Sequence, residues 1–175
     1  MQNPEVAIAG ATMAGLSFSD ENAIDDMYLT FALAEEEYGV AISAVTEIVG
    51  MQHIMEVPDV PAYIRGVINL RGKVVPLMDA RLRFGLPDQP YDERTVIIVL
   101  DRGDAPVGMI VDAVSEVREI LPERIDAPIN LGRSGRSFVR GLARLDDRVA
   151  ILLDIEQLLS AEVAEPGLTT VEQAN

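Results

Sequence analysis

Gly39-Val-Ala-Ile-Ser-Ala-Val-Thr-Glu-Ile48 recurs as Gly108-Met-Ile-Val-Asp-Ala-Val-Ser-Glu-Val117. Downstream, Tyr63-Ile-Arg-Gly-Val-Ile-Asn-Leu70 recurs as Phe138-Val-Arg-Gly-Leu-Ala-Arg-Leu145. The match runs on through Lys73-Val74 and Arg148-Val149 to Leu77-Met-Asp79 and Leu152-Leu-Asp154. Two segments in the same order, at offsets of 69 and 75, mark a duplicated unit. The difference between the offsets places a longer loop in the second copy, around Gly132–Ser137. A duplicated strand-rich unit makes two similar lobes with a groove between them. That suits a docking body better than an enzyme.

Each copy has only about 60–65 residues, a size at which a lone unit is marginally stable. The copies are therefore expected to share strands and fold as one body. Residues 1–26 hold five acids and no base, and residues 160–175 hold three acids and no base. These stretches read as a flexible acidic leader and a flexible tail, leaving 27–159 as the folded domain. Its lobes are expected at about 40–95 and at 28–39 plus 96–159.

The pattern within the domain is β. Tyr28–Ala34 alternates as a half-buried strand, with Leu29, Phe31 and Leu33 on one face. Val40–Ala44 returns from the charged turn Glu35-Glu-Glu37. Val45–Val49 continues in strand, with Val45 and Glu47 on one face and Thr46 and Ile48 on the other. Ile54–Val57 is a further short strand, and Pro61 opens a short helix over Ala62–Ile64. Gly66–Leu70 and Lys73–Met78 form a hairpin around Arg71-Gly72, with Pro76 implying an edge or a bulge. Asp79 caps a helix over Ala80–Phe84. The second copy repeats the plan: strands at Thr95–Leu100, Val107–Asp112 and Val114–Ile120, a loop at Pro122–Asn130, a short helix at Phe138–Arg140, paired strands at Leu142–Leu145 and Arg148–Leu153, and a helix capped by Asp154. Many short strands with frequent turns indicate barrels, and two five-stranded ones account for the count.

Composition excludes several classes. The net charge of −15 lacks the clustered cations that nucleic acid requires. No apolar run nears the roughly 18 residues of a membrane span, and the first basic residue, Arg65, comes too late for a secretory signal. The chain reads as cytoplasmic. There is no cysteine and one histidine, His53, so neither a thiol nucleophile nor a zinc site is expected. No metal, cofactor or catalytic residue is assigned. Glu47 inside an apolar strand, Arg71 at a hairpin tip and Arg65 before a glycine stand out. On residues alone, a structural ion pair and an interface are equally good readings of them.

The stretch Tyr63-Ile-Arg-Gly-Val-Ile-Asn-Leu-Arg-Gly-Lys-Val-Val-Pro-Leu-Met-Asp79 closely resembles the CheW family of chemotaxis coupling proteins. Tyr38–Ile42, Val45–Ile48, Thr95–Val99, Val107–Asp112 and Arg148–Asp154 extend the resemblance over about Met27 to Leu159. It implies an all-β fold of two intertwined five-stranded SH3-like barrels. It also implies a non-catalytic adaptor that joins the cytoplasmic tip of methyl-accepting chemoreceptors to the regulatory domain of the histidine kinase CheA. Such a protein is a monomer when isolated and is recruited to receptor arrays at the inner face of the membrane without inserting into it. Carried over residue by residue, the receptor groove comprises Ile42, Val45, Glu47, Ile48, Gly66, Asn69, Leu70 and Arg71. Arg71 and Glu47 are expected to pair, and Gly66 to permit close backbone approach. Kinase docking falls on Met51, Ile54, Met55 and Val57. The alternatives are a related adaptor controlling pili or gliding, and an enzyme binding a small molecule in the interlobe groove.

Overall fold

The computed structural model describes residues 24–128 and 138–159. The expected tail, the leader up to residue 23 and the Gly132–Ser137 loop lie outside that span. The strands are β1 (Met27–Leu33), β2 (Glu36–Ala41), β3 (Val45–Gly50), β4 (Ile64–Leu70), β5 (Lys73–Asp79), β6 (Val96–Asp101), β7 (Pro106–Val111), β8 (Ala113–Glu119), β9 (Ile125–Asp126), β10 (Val139–Arg144) and β11 (Val149–Leu153). Two short helices, α1 (Ala80–Arg83) and α2 (Ile155–Leu159), follow β5 and β11. A six-stranded sheet runs β8-β1-β2-β11-β10-β9, and a five-stranded sheet runs β3-β6-β7-β5-β4.

This is the expected all-β, double-lobed, SH3-like architecture, and the lobes are intertwined by an exchange. In the first copy β1 and β2 join the six-stranded sheet, while β3, β4 and β5 join the other. In the second copy β6 and β7 join the five-stranded sheet, and β8 to β11 join the six. Each lobe therefore takes its first hairpin from one copy and its remaining strands from the other. Neither copy can close its own core, which is how units of this size become stable. The lobe boundaries consequently differ from those the repeat suggests. Residues 96–111 belong with β3–β5, and the lobes are 45–111 and 27–41 plus 113–153.

The register shows the same duplication. Parallel pairing sets Leu77 opposite Gly108 in one sheet and Leu152 opposite Gly39 in the other. These are the same two repeat positions. A Cβ on Gly108 would lie 2.5 Å from Leu77 Cδ2, and one on Gly39 would lie 2.9 Å from Leu152 Cδ2. Both glycines are there to admit a leucine from the neighbouring strand. The two hairpins also share a bulge, between Ile64 and Gly66 and between Val139 and Gly141. In both, the capping aspartate's N–H reaches back to an aromatic residue's carbonyl, Asp79 to Tyr63 (2.7 Å) and Asp154 to Phe138 (2.8 Å).

Three apolar clusters hold the body together. The largest spans both sheets, with Leu29, Phe31, Val45, Ile48, Ile98, Leu100 and Met109 among its members. Each lobe has its own core beneath it: Ile68, Val75, Leu77, Ile97 and Val99 in the five-stranded lobe, and Tyr28, Ala143, Ala150 and Leu152 in the six-stranded one. Where the first core has Ile68, Val75 and Ile97, the second has Ala143, Ala150 and Tyr28 at the same repeat positions. β6 feeds two clusters from its two faces, which accounts for its unbroken apolar run.

Several local expectations are corrected. β1 is buried on both faces, Thr30 included, because β2 and β8 flank it and both the shared core and the second lobe's core cover it. Thr30 is accommodated by donating to the Glu116 carbonyl (3.1 Å). The return strand stops at Ala41 and a 3₁₀ turn, Ile42–Ala44, carries the chain to the other sheet. A bulge between Val45 and Glu47 breaks the alternation, so Val45 and Ile48 share the large cluster and Thr46 points outward. Ile54–Val57 forms only a single bridge, Met55 to Val67. Pro61 starts one turn, closed by Ile64 N–H to its carbonyl (2.9 Å), not a helix. Phe138–Arg140 enters strand β10, and the loop after Pro122 contains a 3₁₀ turn and β9. Pro76 lies in an internal strand, but the pairing with β7 begins only at Leu77, which leaves that side of Pro76 without a ladder to break.

Candidate functional site

The β4–β5 turn is fixed by local chemistry. Arg71 (φ 53°) and Gly72 (φ 88°) both occupy the left-handed region, as a two-residue type I′ hairpin requires. The Asn69 side chain accepts from the Gly72 N–H (2.8 Å) and stiffens the tip. Arg71 then donates from Nη2 to Glu47 Oε2. Glu47 is on β3 and Arg71 on the β4–β5 hairpin, the opposite edges of the five-stranded sheet. The ion pair therefore joins the two edges of a sheet that curls toward closure. The Arg71 side chain remains 67% exposed and that of Glu47 25%, so the pair is a presented feature and not a buried strut.

The residues carried over to the receptor groove separate into two groups. Asn69 and Arg71 are exposed, and Glu47 and Leu70 are half-buried. Ile42, Val45 and Ile48 are buried in the shared core and are not part of the surface. Gly66 is buried too, and the close approach it permits is internal. A Cβ there would lie 2.2 Å from the Met55 carbonyl, at a φ of +142°. One surface residue escaped the sequence reading: Val74, cross-strand partner of Asn69, is 68% exposed. Its signal was Val74-Val75 in a strand next to a polar turn, where alternation sends one of two valines outward.

The proposed kinase-side residues form the strap over β4. Met55 exchanges two backbone hydrogen bonds with Val67 (2.8 and 2.9 Å). Met51 and Ile54 pack against the five-stranded lobe's core. Met55 (62%) and Val57 (38%) stay exposed. Two of the four residues thus anchor the strap and two face solvent.

Beside the strap lies a polar network that the sequence did not announce. Asp79 is buried, accepts from the Leu82 N–H as the cap of α1 (3.3 Å), and accepts from the Tyr91 hydroxyl (2.7 Å). Arg65 donates to Tyr91 Oη (2.9 Å) and Asp88 (2.6 Å) and sits 3.4 Å from Asp79. Burial, then the hydrogen bond to Asp79, push the Tyr91 hydroxyl up from its ordinary value. Burial acts to lower the Arg65 guanidinium, but its bonds to Asp88 and Tyr91 outweigh this and hold it above its ordinary value. The hydrogen bond from Arg65 holds the exposed Asp88 carboxyl below its ordinary value. Every group is matched to a partner, which locks the connector between the copies onto the first lobe. His53 is exposed, and among the described residues no three His, Cys, Asp or Glu side chains are grouped to hold a metal ion. No helix among them is long and apolar enough to cross a membrane.

Comparison with known proteins gives a consistent picture. The CheW-like domain family model matches residues 27–163. The chain is 41% identical over 154 residues to the chemotaxis protein CheW of Klebsiella aerogenes, covering 86% of this chain and 93% of that protein. It is 34% identical over 138 residues to the chemotaxis protein CheW of Rhizobium meliloti, covering 78% and 89%. Among solved structures, the scaffolding protein TtCheW from Thermoanaerobacter tengcongensis superposes with a TM-score of 0.72 at 35% identity, covering 78% of this chain and 94% of that one.

Proposed function

The chain belongs to the CheW-like family of chemotaxis scaffolding proteins, and from that premise we propose that it couples chemoreceptors to a histidine kinase through contacts alone. The observation that carries this reading is the presented Arg71–Glu47 pair at the rim of the first lobe, flanked by Asn69 and the exposed Val74. A rigid hairpin offering a cation beside an apolar side chain suits an amphipathic helix, the form of a receptor tip. The strap carrying Met55 and Val57 offers a second apolar surface for the kinase's regulatory domain. No chemical step is needed. Receptor helices bias the kinase only if they contact the adaptor differently in their two signalling states, and about 1–3 kcal/mol of coupling suffices. The test is Arg71→Glu in a pull-down with a receptor-tip hairpin. Lost binding with a retained fold supports the site, and wild-type binding removes it.

A further inference from the structure

The seam between the lobes has two sides related by the repeat, and they are built differently. On one side Asp112, at the crossover from β7 to β8, accepts two bonds from Arg81 of α1, Nε to Oδ1 (2.9 Å) and Nη2 to Oδ2 (2.8 Å). The same carboxylate accepts from the N–H of Ala34 (2.8 Å), in the β1–β2 turn of the other lobe. Its own N–H donates to the Ala32 carbonyl (3.2 Å). One residue thus ties α1, the crossover and the opposite lobe's hairpin. The Arg81 side chain is 12% exposed, and its bond to Asp112 holds it above its ordinary pKa.

On the other side the repeat places Ser43 for Asp112, Glu156 for Arg81 and Gly103 for Ala34. A serine and a glutamate cannot rebuild a guanidinium–carboxylate fork. Ser43, Gly103, Glu156 and Leu159 line a crevice there. The polar groups of the β6–β7 turn partner within the turn itself, Asp101 with the Gly103 N–H (2.8 Å) and Arg102 with Asp104 (3.1 Å). Among the described residues no ion pair crosses the seam at this point. Buried Leu158 and Leu159 of α2 seal it by apolar packing.

A bidentate pair fixes distance and orientation, whereas apolar contact is non-directional and permits sliding. We propose that the seam is a one-sided hinge, clasped by Arg81–Asp112–Ala34 and free to shear at Ser43–Glu156. Movement of one lobe against the other then pivots at Asp112 and is largest at the Ser43 side. No partner is required, so the hinge stands or falls apart from the adaptor reading.

The natural absence of cysteine allows clean paired spin labels. Glu35→Cys with Leu82→Cys spans the clasped side, and Asp104→Cys with Gln157→Cys spans its repeat equivalent. Pulsed dipolar spectroscopy of the full chain should give a broader distance distribution for the second pair than for the first. Asp112→Ser should broaden the first pair to match. Ser43→Asp combined with Glu156→Arg, which transplants the clasp, should narrow the second. If Asp112→Ser fails to give a cooperative melt, Asp112→Asn removes the ion pair while keeping an acceptor for Ala34. Equal widths for the two pairs, or a first pair unchanged by loss of the clasp, would overturn the hinge.

Discussion

Gly108→Ala tests the strand exchange at its tightest point. The added methyl would lie 2.5 Å from Leu77 Cδ2 and 2.8 Å from Ile97 Cγ2. Both side chains are fully buried in the same lobe's core and have nowhere to swing. Overpacking of this kind costs about 1–3 kcal/mol. At about 2–4 °C per kcal/mol for a chain of this size, the melting temperature should fall by about 2–12 °C. Leu77→Ala alone should cost about 2–5 kcal/mol by opening a cavity. Combined, the two should cost less than their sum by about 1 kcal/mol or more, because the new methyl occupies part of the vacated space. Leu152→Ala is the control. It sits in the other lobe's core, so its effect should add to that of Gly108→Ala within about 0.5 kcal/mol. Urea unfolding of the three single and two double variants measures all of this. Strict additivity of Gly108→Ala with Leu77→Ala would refute the claim that these positions interlock.

Other consequences are as direct. Gly66→Ala should destabilise by about 2–5 kcal/mol in denaturant titration, because both its φ and the Met55 carbonyl oppose a side chain. Arg71→Glu should shift stability by no more than about 1 kcal/mol, since the Arg71 end of the pair is 67% exposed; a cooperative melt within a few degrees of wild type checks this. Asp88 is held low by Arg65, and Asp92 by the Arg94 N–H. Their folded-state pKa values lie below the unfolded ones, so their stabilisation is complete above pH ~4 and fades as pH falls through the depressed values. Melts in acid should show Asp88→Asn converging on wild type as pH drops, and divergence that grows with acidity would contradict it.

The repeat made the double-lobed fold legible, and its register survives to the residue, as Leu77 facing Gly108 and Leu152 facing Gly39 show. The exchange of strands was only half legible. Marginal copy size implied shared strands, but nothing local in Val96–Val111 says which lobe receives it, because an all-apolar strand pairs equally well on either side. The bulge at Thr46 was invisible for a related reason: one extra residue shifts the side-chain faces without changing composition. Of the residues carried over, Arg71 and Glu47 pair as expected, with Asn69 bracing the same turn. Ile42, Val45 and Ile48 share their strand signal but are turned into the core. The Arg65–Asp79–Tyr91 network and the Arg81–Asp112 clasp join residues 12 to 31 positions apart. Ordinary acids and bases at such separations carry no periodic signal.

On the proposed function, this body transmits a signal by holding two partners at once. Co-sedimentation of the purified chain with a receptor-tip fragment and a kinase regulatory domain tests it most directly. Kinase should pellet with receptor only when this chain is present, and Arg71→Glu, still folded, should abolish the bridge. Kinase that co-sediments equally well without the chain, or with the Arg71→Glu variant in its place, would contradict it.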